Sequence, residues 1–310
     1  MLPILESGEE TLVGGQAVLE GVMMRAPHSY CVAVRKPSGE IVTEEMPVHR
    51  MSEKYPWLKY PMLRGLGTLG QAMSLGGRAL KFSANAALDD GSTAKPVEVS
   101  NWMMAVQVIF AISFFIVFYK LLPLELTNYL SKWNPALKGQ IAFNAIDGVI
   151  RLALFVGFLL LLSRAKDIRR VFEFHGAEHK VVFNYESGQA VNIENAQKFV
   201  TWHPRCGTSF MFVIMLLSMF VYMLVPAPTL QAKIIERIVF LPIITGMSYE
   251  LIRFAAKRRG SLLAALAAPG LWTQRITTKP PSDEQAAVAI RALEGAMALE
   301  AKQGGELVIA

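Results

Sequence analysis

The chain has 310 residues, of which 53% are hydrophobic, a mean hydropathy of +0.35 and a formal net charge of +6. This hydrophobic fraction excludes an ordinary soluble domain of the same length. Because the apolar residues fall in blocks, the sequence predicts a mainly α-helical, polytopic membrane protein with about four transmembrane helices. No nucleic-acid-binding motif is present, so the positive charge indicates no nucleic acid partner.

The N-terminal part, residues 11–50, is predicted to form a small cytoplasmic β-rich module. Residues 30–35 and 40–48 alternate in polarity around a Pro-Ser-Gly turn, which is typical of a hairpin. The paired glycines Gly14 and Gly15 allow a close approach of the backbone. Residues 55–88 follow with apolar residues at helical spacing and interspersed basic residues, which predicts a cytoplasmic amphipathic or re-entrant helix.

Four later stretches are long and apolar enough to span a bilayer: residues 102–122, 142–163, 208–225 and 234–255. They form two pairs, transmembrane helices 1–2 within residues 102–163 and transmembrane helices 3–4 within residues 207–255. Asp147 and Arg151, one helical turn apart, predict an ion pair inside the second span.

Basic residues set the expected orientation. About 10 lysines and arginines precede the first span, about 7 lie between the second and third, and about 8 follow from Arg253 onward. Both termini and the loop of residues 164–206 are therefore predicted to lie on the cytoplasmic side, with the lipid bilayer as a partner. In that reducing compartment a disulfide between Cys31 and Cys206 is not expected.

Two further segments lie on the predicted cytoplasmic side. In the loop, residues 171–186 predict one helix that ends at Gly188, and residues 196–202 predict a short helix or strand. Residues 256–310 predict an interfacial segment and then a C-terminal cytoplasmic helix, which begins with a capping box of Ser282 and Gln285.

The loop also concentrates scarce metal-binding residue types. Three of the five histidines and one of the two cysteines lie in it. His175, Glu178 and His179 form an H-x-x-E-H motif, in which two histidines bind a metal and the glutamate acts on its bound water. His203 and Cys206 follow at metal-knuckle spacing.

We interpret the two motifs as one site for a divalent metal, with zinc favoured by the nitrogen and sulfur donors. The expected ligands are His175, His179, His203 and Cys206. Glu178 would act as general base, and Arg205 would stabilise a developing oxyanion. The alternative is a polar helix–loop junction whose histidines only form hydrogen bonds. No binding site for an organic cofactor is predicted.

Residues outside the expected set of ligands are considered as supporting residues of this site. Glu250 near the cytoplasmic end of the fourth span would be a further ligand or a partner of a histidine or Arg205, and a local pair with Arg253 is an equal alternative. Glu20 and Arg25 fit a solvated strand face with a salt bridge better, on spacing alone, than a place behind the metal ligands.

Three stretches together resemble the YqhQ-like family of bacterial integral membrane proteins. They are Gly14-Gly15-Gln16-Ala17-Val18 with Glu20 to Arg25, His175 to Lys180, and His203 to Thr208. The resemblance extends from Val13 to the last helix and implies a multi-pass protein of the bacterial cytoplasmic (inner) membrane that contains this metal cluster. It also implies a supporting role for Gln16, Glu20 and Arg25. Members of the family have been described as predicted metal-dependent enzymes, and the resemblance indicates no substrate.

Two functions follow as hypotheses. One is a zinc-dependent hydrolase that acts on a peptide or lipid at the cytoplasmic membrane surface. The other is a non-catalytic scaffold, stapled by a closed four-ligand metal site, that serves as an accessory factor for membrane-protein insertion or assembly. Its methionine-rich third span and basic helices would contact lipids and membrane-protein partners, and a homo-oligomer fits either hypothesis. A transporter has less support, because the chain shows no inverted repeat.

Overall fold

A small antiparallel sheet and a set of helices form the part of the chain that the computed structural model describes, residues 13–49, 51–89, 100–257 and 262–302. The strands are β1 (Gly14–Val18), β2 (Gly21–Arg25), β3 (Ser29–Arg35) and β4 (Ile41–Pro47). The helices are α1 (Met51–Lys54), α2 (Leu63–Leu88), α3 (Asn101–Ile116), α4 (Leu122–Trp133), α5 (Gln140–Leu162), α6 (Lys166–Glu186), α7 (Ile193–Gln197), α8 (Gly207–Leu224), α9 (Leu230–Val239), α10 (Leu241–Lys257), α11 (Leu262–Thr277) and α12 (Asp283–Lys302). The mainly helical class with a small N-terminal sheet is therefore confirmed. Of the segments expected from the sequence, residues 11–12, 50, 258–261 and 303–310 lie outside the described residues.

The sheet is a meander in the order β1-β2-β3-β4, with each strand antiparallel to the next. In the last hairpin Val34 lies opposite Val42. Gly39 turns the chain between these two strands with a φ of +90°, a conformation that favours glycine. The hairpin expected from residues 30–48 is confirmed.

Helices cover both faces of the sheet. One face, with Val22, Met24 and Cys31, packs against α6 and α12. The other face, with Met23, Tyr30 and Val32, packs against Leu75 and Ala79 of α2. The alternation of side chains along each strand therefore decides which helix a residue meets. Of residues 55–88, expected to form a cytoplasmic amphipathic or re-entrant helix, Leu63–Leu88 form α2, which covers the sheet.

The buried carboxylate of Glu300 fastens α12 to the sheet. It accepts hydrogen bonds from the Ser29 hydroxyl at 2.7 Å, from the His28 backbone N–H at 2.9 Å and from His28 Nδ1 at 3.0 Å. Burial raises the pKa of this carboxyl, but the hydrogen bonds outweigh burial, and the net pKa lies below its ordinary value. The carboxylate therefore contributes stability above its ordinary pKa, and this contribution is lost as the pH falls through the lowered value.

We expect Glu300→Ala to lower the free energy of unfolding by about 2–3 kcal/mol near neutral pH, because it leaves buried donors without an acceptor. Denaturant unfolding of the full chain in mixed micelles measures this change. Glu294→Ala is the matched control on the same helix, since that side chain is exposed and its ion-pair partner, Arg291 at 3.8 Å, lies one turn earlier. The control should change stability by less than about 0.5 kcal/mol. Equal losses in both variants would contradict the role of Glu300.

Three helical segments are long and apolar enough to cross a membrane: Ala105–Trp133, Gln140–Leu162 and Gly207–Leu224. The first was expected to end at residue 122, but a π-helical turn at Val117–Leu121 joins α3 directly to α4, so the helix continues to Trp133. Large apolar side chains of α3, such as Trp102 at 74% and Phe110 at 69% exposure, are left mostly uncovered by the described residues. Such exposed surface is typical of contact with lipid.

The fourth apolar segment is bent. α9 and the following Leu241–Ala255 meet at an angle of 48°, so the pair is either a broken span or a re-entrant loop. Pro242, the second residue after the break, removes a backbone donor there. The described chain thus has three helices that fit a membrane, or four if the bent pair counts as one span.

The remaining helices follow their local sequence signals with one exception. α6 ends at Glu186, and Gly188 follows with a φ of +70°, as expected. The capping box of α12 is confirmed, with hydrogen bonds of 2.9 and 3.2 Å between Ser282 and Gln285. The short element expected at residues 196–202 lies earlier, at Ile193–Gln197, because the Asn192 side chain caps it by accepting a bond from the Asn195 N–H at 2.8 Å.

Candidate metal centre

The two sequence motifs meet at one point of the fold. His175 and His179 lie one turn apart on α6, and Cys206 is the residue that immediately precedes α8. One possible ligand atom from each of these three residues lies within 4.8 Å of the other two. His179 is 2% and Cys206 7% exposed, so the group is largely shielded from solvent.

Backbone carbonyls fix the ring orientation of both α6 histidines. His175 Nδ1 donates to the Thr277 carbonyl at 2.9 Å, and His179 Nδ1 donates to the Thr201 carbonyl. Because a carbonyl oxygen can only accept, each neutral ring carries its proton on Nδ1 and has a free lone pair on Nε2. This is the arrangement in which histidines bind metals in proteins.

Cys206 completes the group of donors. Its Sγ lies 3.3 Å from His175 Nε2 and 3.2 Å from the Thr208 hydroxyl. It occupies the N-cap position of α8. Two imidazole nitrogens and one thiolate form a donor set that suits zinc.

Glu178 lies beside this group. Its carboxylate is 5% exposed, and its Oε2 lies 3.3 Å from His179 Nε2. Burial raises the pKa of Glu178, and the nearby His175 and His203 together with the backbone N–H of Gly15 oppose that rise. A raised pKa brings a carboxylate closer to the range in which it can accept and release a proton at neutral pH.

Burial also changes the pKa of His179. The pKa of this imidazole is lowered, first by desolvation, while Cys206 and the Thr201 carbonyl work in the opposite direction. The ring is thereby held in the neutral form, which is the form that can bind a metal.

Two glycines of the motifs allow backbones to approach the site. A Cβ on Gly15 would lie 2.4 Å from the Met23 carbonyl oxygen and 2.9 Å from Glu178 Cγ. A Cβ on Gly176 would lie 2.0 Å from the Lys279 carbonyl oxygen. The segment between α11 and α12 can therefore run along α6 only because residue 176 has no side chain. Thr277, the last residue of α11, accepts the hydrogen bond from His175.

We expect Gly176→Ala to lower the free energy of unfolding by about 2–3 kcal/mol, because the colliding atom belongs to the backbone and cannot rotate away. Gly77→Ala in α2 is the matched control, since nothing lies within 4 Å of its added carbon. The control should gain about 0.5–1 kcal/mol from helix propensity. Denaturant unfolding in mixed micelles gives both values, and a neutral Gly176→Ala would contradict the close approach at this glycine.

His203 lies next to the three donors. Its ring centroid is 5.5 Å from that of His179, but its Nδ1 accepts the Arg205 backbone N–H at 3.3 Å. A neutral ring must then carry its proton on Nε2, which lies 3.6 Å from a carboxylate oxygen of Glu186. Its tautomer is therefore opposite to that of the two α6 histidines.

Glu186 is a carboxylate that the sequence analysis missed. It forms an ion pair with Arg205 and faces His203. Its position, two turns after His179 on the same helix face, is a signal that could have identified it. Arg205 reaches the site as expected, but its guanidinium is shared with this carboxylate.

Gln274 was also missed. Its side chain is fully buried in α11, accepts the His203 N–H at 2.7 Å and donates to the His203 carbonyl at 2.7 Å and to the Ser209 hydroxyl at 2.8 Å. These bonds hold the turn that carries His203 and Cys206. No pattern in the sequence links Gln274 to a turn 71 residues earlier.

The four outer residues expected to support the metal have other partners. Gln16 points to α2, where its amide nitrogen would lie 2.7 Å from a Cβ on Gly76. Glu20 pairs with Arg170 of α6, and Arg25 donates to Gln71 at 2.7 Å.

Glu250 has partners at the start of α2. Its carboxylate accepts hydrogen bonds from Arg64 and from the Met62 backbone N–H at 3.1 Å, so its bonds fasten α10 to the start of α2. The ion-pair partner of Glu250 is Arg64, whereas Arg205 pairs with Glu186.

A small cavity of about 100 Å³ joins these side chains. Its lining residues are Val13, Gly14, Gly15, His175, Glu178, His179, Val182, His203, Arg205, Cys206 and Gly207. All three motifs of the sequence contribute to this one cavity, including the Gly-Gly pair of β1.

Comparisons with other proteins point to a family whose activity has not been assigned. A family model described as protein of unknown function DUF1385 matches residues 60–299. The chain is 36% identical over 301 residues to the uncharacterized protein YqhQ of Bacillus subtilis (strain 168), with 93% of each chain covered. No solved structure matches. The chain therefore belongs to the YqhQ-like family of proteins of unknown function, described as DUF1385.

Proposed function

We propose that His175 Nε2, His179 Nε2 and Cys206 Sγ hold one divalent metal, with zinc favoured by the donor set. The observation that carries this proposal is the pair of Nδ1–H bonds to backbone carbonyls, which leaves the Nε2 lone pair of each ring free within a group of three possible ligand atoms that lie within 4.8 Å of one another. His203 takes a different part, because its Nδ1 is occupied and its Nε2 faces Glu186. Three protein ligands leave one coordination position open, which is typical of catalytic zinc sites.

The activity that fits best is hydrolysis. Zinc bound in such a site would act as a Lewis acid toward a carbonyl group. It would also lower the pKa of a bound water molecule to about 7. Glu178 lines the cavity beside the donors and accepts the proton that water gives up. The raised pKa of this carboxyl suits it to pass the proton on to a leaving group. Arg205, shared with Glu186, supplies positive charge at the rim for a developing oxyanion.

The proposed substrate is a peptide or lipid at the cytoplasmic surface of the inner membrane. Cys206 is followed immediately by α8, one of the helices that are apolar enough to span a membrane. The site therefore lies near the end of a span, and the basic residues of the 164–206 loop favour the cytoplasmic side for it and for both termini. This placement limits substrates to groups that reach the membrane surface.

The first test is metal removal from the full chain in lipid vesicles. Chelation should abolish release of product from membrane-bound peptides and lipid esters, and one equivalent of Zn²⁺ should restore it. Vesicles without protein, treated in the same way, are the control. Equal release before and after chelation would exclude a metal-dependent hydrolase for those substrates.

One observation favours the scaffold as a second candidate. The cavity of about 100 Å³ has room for only a few water molecules, since each occupies about 30 Å³ in the liquid, and it is smaller than the ~300 Å³ typical of ligand sites. In this alternative the metal links α6 to the start of α8 and stabilises the fold, and the protein assists membrane-protein insertion or assembly. Metal would then be needed for stability, and Glu178 would be dispensable.

A further inference from the structure

A short turn between α1 and α2 carries exposed aromatic rings. Pro56–Lys59 form one turn of 3-10 helix, and the large rings in and beside it are Tyr55 at 39%, Trp57 at 54% and Tyr60 at 67% exposure. Leu58 is buried at 5% exposure, because it packs onto α2, where a Cβ on Gly67 would lie 3.0 Å from its Cδ1. The buried Leu58 fixes the turn and leaves the three rings largely uncovered by the described residues. We call residues 55–60 the aromatic turn.

The residues that follow fasten the aromatic turn to α10. The Met62 backbone N–H donates to Glu250 Oε1 at 3.1 Å, and Arg64 Nε donates to the same oxygen at 2.7 Å. A Cβ on Gly246, one turn earlier on α10, would lie 2.8 Å from the Met62 carbonyl oxygen. Met62 has a φ of +69°, a conformation that a residue with a Cβ adopts only where its surroundings hold it there. The aromatic turn is therefore attached closely to α10.

This attachment places the aromatic turn at the edge of the apolar helices. Leu241–Ala255 is the second arm of the bent apolar pair, which begins at Leu230. Glu250 lies about 30 Å beyond Leu230 along the two helix axes at 1.5 Å per residue, and the hydrocarbon core of a bilayer is about 30 Å thick. In a pair that crosses the bilayer as one broken span, the ion pair of Arg64 and Glu250 lies at the membrane–water boundary, with the aromatic turn beside it.

The residue types of the aromatic turn are those of the membrane interface. Tyrosine and tryptophan are enriched there, because each ring combines an apolar body with a polar group. Lys54 and Lys59 are exposed beside the rings, and Lys54 Nζ lies 5.5 Å from the Tyr55 ring centroid. The carboxylate of the neighbouring Glu53 faces His28 at 3.3 Å. Interfaces with another protein are depleted in lysine, so the combination of rings and lysines favours a lipid surface.

We propose that the aromatic turn is a lipid anchor, in which the rings of Trp57 and Tyr60 enter the headgroup layer of the bilayer and the two lysines contact lipid phosphates. The proposal rests on the membrane placement given under the proposed function, but it does not depend on the metal or on hydrolysis. The anchor gives α2, and the sheet that α2 covers, a further attachment to the bilayer. It assigns the lipid contact to the turn that precedes α2, because α2 itself packs on the sheet.

The test is quenching of tryptophan fluorescence by brominated lipids. The full chain keeps Trp57 as its only tryptophan, with the other four replaced by phenylalanine, and is reconstituted into vesicles of phosphatidylcholine and phosphatidylglycerol. We expect lipids brominated near the headgroup to reduce the emission of Trp57 more than lipids brominated near the end of the acyl chain. The difference in emission between the wild-type chain and Trp57→Phe gives the same quantity without the four other substitutions.

A tryptophan on the apolar helix α3 separates failure of the anchor from failure of the membrane placement. Phe110→Trp, in the chain without other tryptophans, replaces a ring that is 69% exposed and should be quenched by lipid bromines. Quenching of this tryptophan but not of Trp57 would overturn the anchor and leave the spans in place. A Trp57 that is shielded from lipid bromines and from a water-soluble quencher would identify a protein contact and also overturn the anchor. Absence of quenching at both positions would overturn the membrane placement and the anchor together.

Discussion

Replacing Glu178 by glutamine is expected to leave the metal bound and to lower hydrolytic activity by about 10²–10⁴-fold, the range for loss of a general base. The amide keeps the shape of the side chain but cannot accept the proton. The substitution should affect activity without affecting metal binding, because Glu178 lies beside the group of possible metal ligands and is not part of it. That group consists of His175, His179 and Cys206. Product release in vesicles, with zinc content measured on the same samples, gives both numbers.

The control for Glu178 is the carboxylate of Glu186. Glu186→Gln weakens the ion pair with Arg205 but leaves the proposed base intact, so it should reduce activity far less. A Glu178→Gln protein that keeps both its metal and its full activity would exclude the hydrolase and leave the scaffold. A Glu178→Gln protein that loses its metal would show that this carboxylate acts as a ligand.

Replacing His179 by alanine is expected to weaken zinc binding by more than about 100-fold. Loss of an outer partner of a metal ligand costs about 10–100-fold, and loss of the ligand itself costs more. His179 is the donor most tightly enclosed by the fold, since its ring is 2% exposed and its Nδ1 is bonded to the Thr201 carbonyl. Competition with a chelator of known affinity measures the change.

His49→Ala is the matched control for this loss. His49 is a surface histidine of the same chain, outside the motifs, and the variant should bind zinc like the wild type. An unchanged affinity in His179→Ala would mean that the α6 histidines only form hydrogen bonds, which is the alternative that the sequence left open.

Local signals in the sequence predicted much of the fold. The Pro-Ser-Gly turn and the alternation around it gave the β3–β4 hairpin, and Ser282 with Gln285 gave the start of α12. These features depend on residues a few positions apart, so their physical causes are visible in a short window. The helix of the first apolar segment was expected to end at residue 122, but the π-helical turn at Val117–Leu121 continues it to Trp133.

The residue types of the two metal motifs predicted that the motifs lie close together in the fold. They did not predict the hydrogen-bond partners of each residue. The tautomers of His175 and His203 depend on a carbonyl of residue 277 and on an N–H of residue 205. The contact of Gln274 with the His203 turn is purely tertiary.

The prediction from sequence was also limited for strand residues, because it did not say which face of the sheet would lie toward the metal centre. Gln16 follows Gly15 and therefore points to the opposite face of the sheet, toward α2 instead of Glu178. The alternation itself is visible in the sequence. Which face lies toward the metal centre is decided only when α6 packs on the sheet, and this contact cannot be read from the sequence of the strand.

The most direct measurement of the central claim is zinc-edge X-ray absorption of the purified full chain, with metal content determined in parallel. The account predicts one zinc per chain, with one sulfur at about 2.3 Å and at least two nitrogens at about 2.0 Å. Cys206→Ser should remove the sulfur signal. A protein that binds no zinc, or a spectrum with no sulfur neighbour, would contradict a metal held jointly by α6 and the residue that precedes α8.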